Sequence, residues 1–213
     1  MVIIDGTVYD DDIPGTIYSD DIEGYEGYDL IFGYGGNDII SGSWGDDMID
    51  GGSGHDDLYG GSGWDDLYGG SGLDYLSGGS GDDLLVGGSG RDTLVGGSGE
   101  DLFVFTKGSS GLSSSSADTI TDWNRSDDWI DMTVRGTSSN YREHSTSATS
   151  ISSALARAED LYPSASVKHV FMYNSKTDTG YLISDLNSDG QFDTGVVLKN
   201  AGLASDMSYA YII

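Results

Sequence analysis

A large apolar residue recurs at every ninth position from Ile13 through Ile22, Ile31, Ile40, Ile49, Leu58, Leu67, Leu76, Leu85 and Leu94 to Phe103. A three-residue strand points only its middle side chain inward, so this period predicts one short strand per repeat, with the recurring residue in the core. The six residues between strands are rich in glycine and aspartate, which reverse a chain tightly and suit positive φ. Residues 6–104 divide without a gap into eleven nonapeptides, and the six copies from Gly51 onward follow GGxGxDx(apolar)x. Two strands and two turns make one coil. Coils then stack as parallel strands, and each turn lies over the turn two copies earlier. One copy buries too little apolar surface to stand alone, so the array must stack. The expected fold is all-β, a parallel β-roll over residues 24–104. Degenerate cap repeats (1–23) precede it, and a β-rich capping region (105–213) follows.

Beyond the repeats the periodicity changes. Residues 107–117 (KGSSGLSSSSA) read as a mobile surface loop, and 118–123 and 128–134 alternate apolar and polar residues as strands do. Residues 136–150 are again polar and serine-rich. Ile151, Leu155, Ala158 and Tyr162 then recur at helical spacing and predict one short amphipathic helix ending before Pro163. VKHVFMYN and YLISDL read as strands flanking an acidic turn.

The sixth position of every copy is aspartate. Stacking places these carboxylates in two columns: Asp11, Asp29, Asp47, Asp65, Asp83 and Asp101 on one edge, and Asp20, Asp38, Asp56, Asp74 and Asp92 on the other. Crowded carboxylates without counter-ions are strongly unfavourable, and a divalent cation removes that objection. Calcium fits a set of hard oxygens from aspartates and turn carbonyls, whereas magnesium demands a strict octahedron. Zinc and copper lack their cysteine and histidine ligands. The first two copies carry Thr7 and Thr16 at the second position and Tyr9 and Tyr18 in place of the fourth-position glycine. Their turns are expected not to close tightly, which leaves Asp11 and Asp20 weak sites. Asp185, Asn187, Asp189, Gly190 and Asp193 match the first half of an EF-hand loop, but Val196 stands where the bidentate glutamate belongs. A β-hairpin turn explains that segment equally well.

The repeat resembles the RTX nonapeptide of haemolysin-type calcium-binding proteins. GEDLFVF, ADTITDW and DDWIDMT resemble the segment that follows the roll in serralysin-type proteases, RTX lipases and alginate epimerase modules. The resemblance implies a calcium-loaded β-roll, with Asp118 and Asp122 completing its last site. It also implies secretion through a type I exporter, read from the C-terminus, here SDMSYAYII; the tail reads equally well as a last core strand.

Charge adds a mechanism. The chain has 213 residues, 36 acidic and 9 basic, for a net charge of −27, and residues 6–104 hold 22 of the acids but a single base, Arg91. Such self-repulsion keeps the repeats expanded until metal arrives, so binding and folding become one event on extracellular calcium. Cysteine is absent, and no apolar run spans a bilayer. The sign of the field excludes nucleic acid as a partner. His55, His144 and His169 are too scattered for a triad, and HExxH, GxSxG and P-loop motifs are missing. The expected role is a non-catalytic accessory module of a secreted protein. Alternatives are a polysaccharide-binding module, which would need Arg125, Arg135, Arg142, Lys168, Lys176 and Lys199 to gather, and a standalone adhesin or matrix protein.

Overall fold

The computed structural model describes residues 1–132, 141–161, 167–187, 189–201 and 212. Twelve strands run through the repeats: β1 (Val2–Asp5), β2 (Asp12–Pro14), β3 (Asp20–Glu26), β4 (Leu30–Phe32), β5 (Ile39–Trp44), β6 (Met48–Asp50), β7 (Asp57–Ser62), β8 (Asp66–Gly72), β9 (Tyr75–Ser80), β10 (Leu84–Gly90), β11 (Thr93–Ser98) and β12 (Leu102–Phe105). They are followed by β13 (Asp118–Ile120), β14 (Trp129–Met132), β15 (Tyr141–Ser145), α1 (Ile151–Leu161), β16 (His169–Asn174), β17 (Thr179–Ser184) and β18 (Thr194–Lys199).

Odd- and even-numbered strands of the roll form two facing parallel sheets, as a two-repeat coil requires. Each apolar eighth-position residue stacks on its counterpart two copies away, as in Ile22↔Ile40, Ile40↔Leu58 and Leu58↔Leu76 on one sheet. On the other, Ile31↔Ile49, Ile49↔Leu67 and Leu67↔Leu85 do the same. From Ile22 to Phe103 these side chains are fully buried and form one continuous core. The ladder starts earlier than the nonapeptides do: β1 pairs with β3, and Ile4 stands in register with Ile22.

Both sheets also run one rung past the last repeat. Ile120 continues from Leu94 and Ile130 from Phe103, so β13 and β14 cap the roll with the same inward apolar residue. β18 then pairs in parallel with β13, and β17, β16 and β15 extend that sheet. Helix α1 packs over this extension through Ile151, Ala154 and Ala158; the sequence pattern places Leu155 on that face, but it is only half-buried. Ser150 and Ser153 cap the helix reciprocally, each backbone N–H meeting the other's hydroxyl at 3.3 Å.

One expectation fails here, and one stretch read only as polar gains a strand. The serine-rich stretch 107–117 is anchored rather than loose: the buried Ser110 hydroxyl donates to the Gly195 carbonyl at 2.7 Å and accepts the Asp118 N–H at 2.8 Å. The polar stretch 136–150 contains β15, held in parallel register on β16 with Tyr141 buried. Thr133 and Val134, Arg135, Tyr162, Pro163 and all of the C-terminal tail except Ile212 lie outside the described residues. Ile212 itself is buried and bridges to Ile130.

Glycine is required at the fourth position, where φ is left-handed in every copy from Gly27 to Gly99. At Gly63 (φ +134°) an added Cβ would fall against the carbonyl oxygen of Gly45 in the coil below. Gly63→Ala is expected to destabilise the calcium-loaded roll by about 1–3 kcal/mol or more, whereas Tyr18→Gly, at a position without left-handed φ, should change it little. Thermal unfolding of the two variants would check this, and equal losses would contradict it.

Candidate metal centre

The sixth-position aspartates sit where each turn enters its strand, and from Asp20 to Asp101 they are at most 2 % exposed. From Asp29 onward each uses one oxygen in the same way. The Asp47 N–H donates to Oδ1 of Asp65 at 2.9 Å, Asp56 to Asp74 at 3.0 Å, Asp65 to Asp83 at 2.9 Å and Asp74 to Asp92 at 3.0 Å. The same bond links Asp29 to Asp47, Asp38 to Asp56 and Asp83 to Asp101. The two columns are therefore hydrogen-bonded ladders whose carboxylates point along the stack.

The second oxygen has no donor. Oδ2 of Asp29, Asp38, Asp47, Asp56, Asp65, Asp74, Asp83 and Asp92 is buried without a hydrogen-bond partner. Burial pushes these acids up, against the backbone N–H bond that lowers them, and at all but Asp92 neighbouring carboxylates add to the rise. Asp47 and Asp56 stand at about 6 and Asp65 and Asp74 at about 7. Asp83 and Asp101 stand at about 6, and Asp29, Asp38 and Asp92 are raised as well. A buried anionic oxygen with no donor is costly, and its conjugate acid is correspondingly favoured.

Asp11 and Asp20 differ. Their turns do close, contrary to expectation, through threonine: the Thr7 N–H and hydroxyl reach Oδ2 of Asp11 at 2.6 and 2.8 Å. The Thr16 N–H and hydroxyl reach the two oxygens of Asp20 at 2.6 and 3.1 Å. Threonine supplies donors that later copies lack: the second position is Tyr25, Tyr34 and then Ser43, whose hydroxyl turns to Ser41 and Glu23, and it is glycine from the sixth copy on. Left-handed φ at the second position begins only in the third copy, at Tyr25 (79°).

At the far end Asp118 takes the next rung. Its Oδ1 accepts the Asp92 N–H at 2.8 Å, its Oδ2 is buried without a partner, and burial pushes it up to about 8. Asp122 does not join the column; its two oxygens accept the N–H groups of Gly96 and Gly97 at 3.1 and 2.9 Å. The other column ends at Asp128, a residue that sequence reasoning passed over as a strand start. It is buried and pushed up to about 7, chiefly by burial, and it accepts the Asn124 N–H at 2.7 Å. The signal was present: DTI at 118–120 and DWI at 128–130 both keep the aspartate-x-apolar spacing of the repeat without its glycines.

Among the described residues no three histidine, cysteine or acidic side chains gather at one point. An ion between coils would thus draw on ladder carboxylates and on turn carbonyls, such as those of Gly36, Gly54 and Gly72, which face the next coil. That is a hard, all-oxygen donor set with unsatisfied anionic oxygens, and it fits calcium. When bound, the ion supplies the positive charge that the orphaned oxygens lack.

The DLNSDG segment is the loop of the β17–β18 hairpin. Lys168 pairs with Asp185 at 2.9 Å, and the Gly190 N–H donates to the same oxygen at 3.0 Å. Asn187 and Asp189 bond each other, and Asp193 accepts the Leu186 N–H at 3.0 Å. Lys168 and the loop's own amides thus take one oxygen each of Asp185 and Asp193, while Oδ2 of Asp193 is buried without a hydrogen-bond partner. The fifth-position residues form a further ladder unseen in the sequence: the His55 N–H donates to Asn37, and the Leu73 N–H to Nδ1 of His55 at 2.8 Å.

A parallel two-sheet roll with stacked, metal-demanding aspartates defines a calcium-binding solenoid. Residues 14–49, 41–76 and 68–103 match the RTX calcium-binding nonapeptide repeat, and the array belongs to that family. Calcium binding follows from it. Solved structures similar to this chain include the AlgE6R3 subunit of the Azotobacter vinelandii mannuronan C5-epimerase, at 22% identity over 98% of this chain and 80% of that one, with TM-score 0.36. The AlgE6R2 subunit of the same enzyme matches at 20% over 99% and 91%, with TM-score 0.38. The extracellular lipase LipA from Serratia marcescens matches at 17% over 98% of this chain and 39% of that one, with TM-score 0.33. No curated protein sequence matches significantly.

The raised acids set a pH dependence. Between about pH 4 and the folded values near 7, the metal-free folded chain binds more protons than the unfolded chain, so its stability falls as pH rises. In chelator the roll should therefore hold more β-structure at pH 5 than at pH 8, measured by circular dichroism. A metal-free roll that gains structure as pH rises would contradict the ladder's burial.

Proposed function

We propose that this chain is a non-catalytic calcium module that folds on extracellular calcium and supports secretion, folding and stability of an exported protein. The observation that carries this reading is the run of orphaned Oδ2 atoms from Asp29 to Asp92 and at Asp118. Metal-free, each rung at neutral pH must protonate or bury an uncompensated charge; loaded, the same rungs tie coil to coil. Extracellular calcium modules bind at about 10⁻⁴–10⁻³ M, so the roll stays open where calcium is scarce and closes where it is plentiful. Ligand that binds only the folded state adds its binding energy to folding. The sites we assign are Asp29, Asp38, Asp47, Asp56, Asp65, Asp74, Asp83, Asp92, Asp101 and Asp118. Asp11 and Asp20 serve as threonine-satisfied caps.

The polysaccharide-binding alternative asked for a gathered basic face. Lys168 is instead tied to Asp185, and Arg135 lies outside the described residues. Type I export rests on the family resemblance alone. Among the described residues no helix is long and apolar enough to cross a membrane.

At pH 8 the chain in chelator should show little β-structure by circular dichroism and gain it cooperatively on calcium titration. Asp74→Asn should weaken the apparent affinity on the order of tenfold or more, while Asp11→Asn leaves it unchanged. Full β-structure in excess chelator at pH 8 would overturn the proposal.

A further inference from the structure

A cavity of about 420 Å³ lies where the roll meets its cap. Its floor is one register row across five neighbouring strands: Tyr75, Thr93, Thr119, Val197 and Tyr181. The start of α1 and the anchored serine-rich loop overhang this row, contributing Ser150 and Ser114. Arg91 and Lys199 line the cavity as well. Arg91 is the single base of the eleven repeats, in a chain of net charge −27. Neither cation forms a salt bridge with a carboxylate among the described residues. The first turn of α1 carries no acid, so the positive end of its dipole is uncompensated.

We propose that this cavity binds a small hydroxylated monocarboxylate. Two cations and a helix N-terminus select an anion, and the threonine, serine and tyrosine hydroxyls offer partners to a polyol. The long-range field of a strongly acidic protein penalises a dianion more than a monoanion, and the volume suits a ligand the size of one sugar acid. Asp74 and Asp92 line the cavity too and are themselves buried. They belong to the ladder, so the inference rests on calcium neutralising them there.

The test is a two-dimensional NMR titration of the calcium-loaded full chain with gluconate, with sorbitol as the neutral counterpart, following the amides of Thr93 and Thr119. Gluconate should shift these amides saturably and sorbitol should not. Arg91→Gln and Lys199→Gln, both at exposed positions, should each weaken gluconate about tenfold or more, as loss of a charge-assisted hydrogen bond does. Equal response to sorbitol, unchanged affinity in both variants, or no shift with gluconate would overturn the assignment. Circular dichroism of the same samples separates the two readings. A calcium-dependent roll with a flat titration sinks only the cavity proposal, and a roll indifferent to calcium sinks the module's calcium function.

Discussion

Every rung of this roll turns on one aspartate whose two oxygens have opposite fates. Oδ1 takes the backbone N–H of the aspartate in the coil below, which fixes the stacking register. Oδ2 is buried against the first-position glycine of its own turn and finds no donor. The first bond stabilises the stack and the second atom destabilises it at neutral pH. The fold thus carries its own dependence on a counter-charge. The glycines follow from the same constraint: a Cβ at Gly42 or Gly78 would collide with the carboxylate of Asp47 or Asp83.

The ends of the ladder show what the interior lacks. At Asp11 and Asp20 threonine donors satisfy the carboxylate, and at Asp128 the Asn124 turn supplies an N–H. Asp118, which ends the other column, keeps its Oδ2 buried without a partner, as the interior rungs do. Beyond these ends the chain switches from coil-forming repeats to an antiparallel hairpin and a helix, continuous with one sheet of the roll. Stacking can end there because β18, unlike a repeat, brings β17 as its next neighbour.

Much of this was legible in the sequence, because one inward residue per nine and two strands per coil leave only one way to bury the apolar column. The eighteen-residue offset, the two aspartate columns and the helix near Ile151 all follow from spacing. What escaped lacked either period or glycine. Ile4 precedes the first glycine-led copy yet holds the register of Ile22. Asp128 keeps the repeat's spacing to Ile130, but a loop rather than a glycine turn precedes it. Ser110 and Tyr141 sit in polar stretches whose burial is set by distant partners, Gly195 and β16. Local composition cannot reveal contacts of that range. The closing of the first two turns escaped for a different reason: a threonine in place of a turn glycine shows its lost flexibility in the sequence, but its hydroxyl's bond to the aspartate four residues on shows only in the fold.

The most direct measurement is an anomalous-difference map from crystals of the calcium-loaded chain. The account predicts ions beside the Oδ2 atoms of both columns from Asp29 to Asp92, and none beside Asp11 or Asp20. Oδ2 atoms without ions, or ions bound as strongly at the two threonine-capped aspartates, would contradict it.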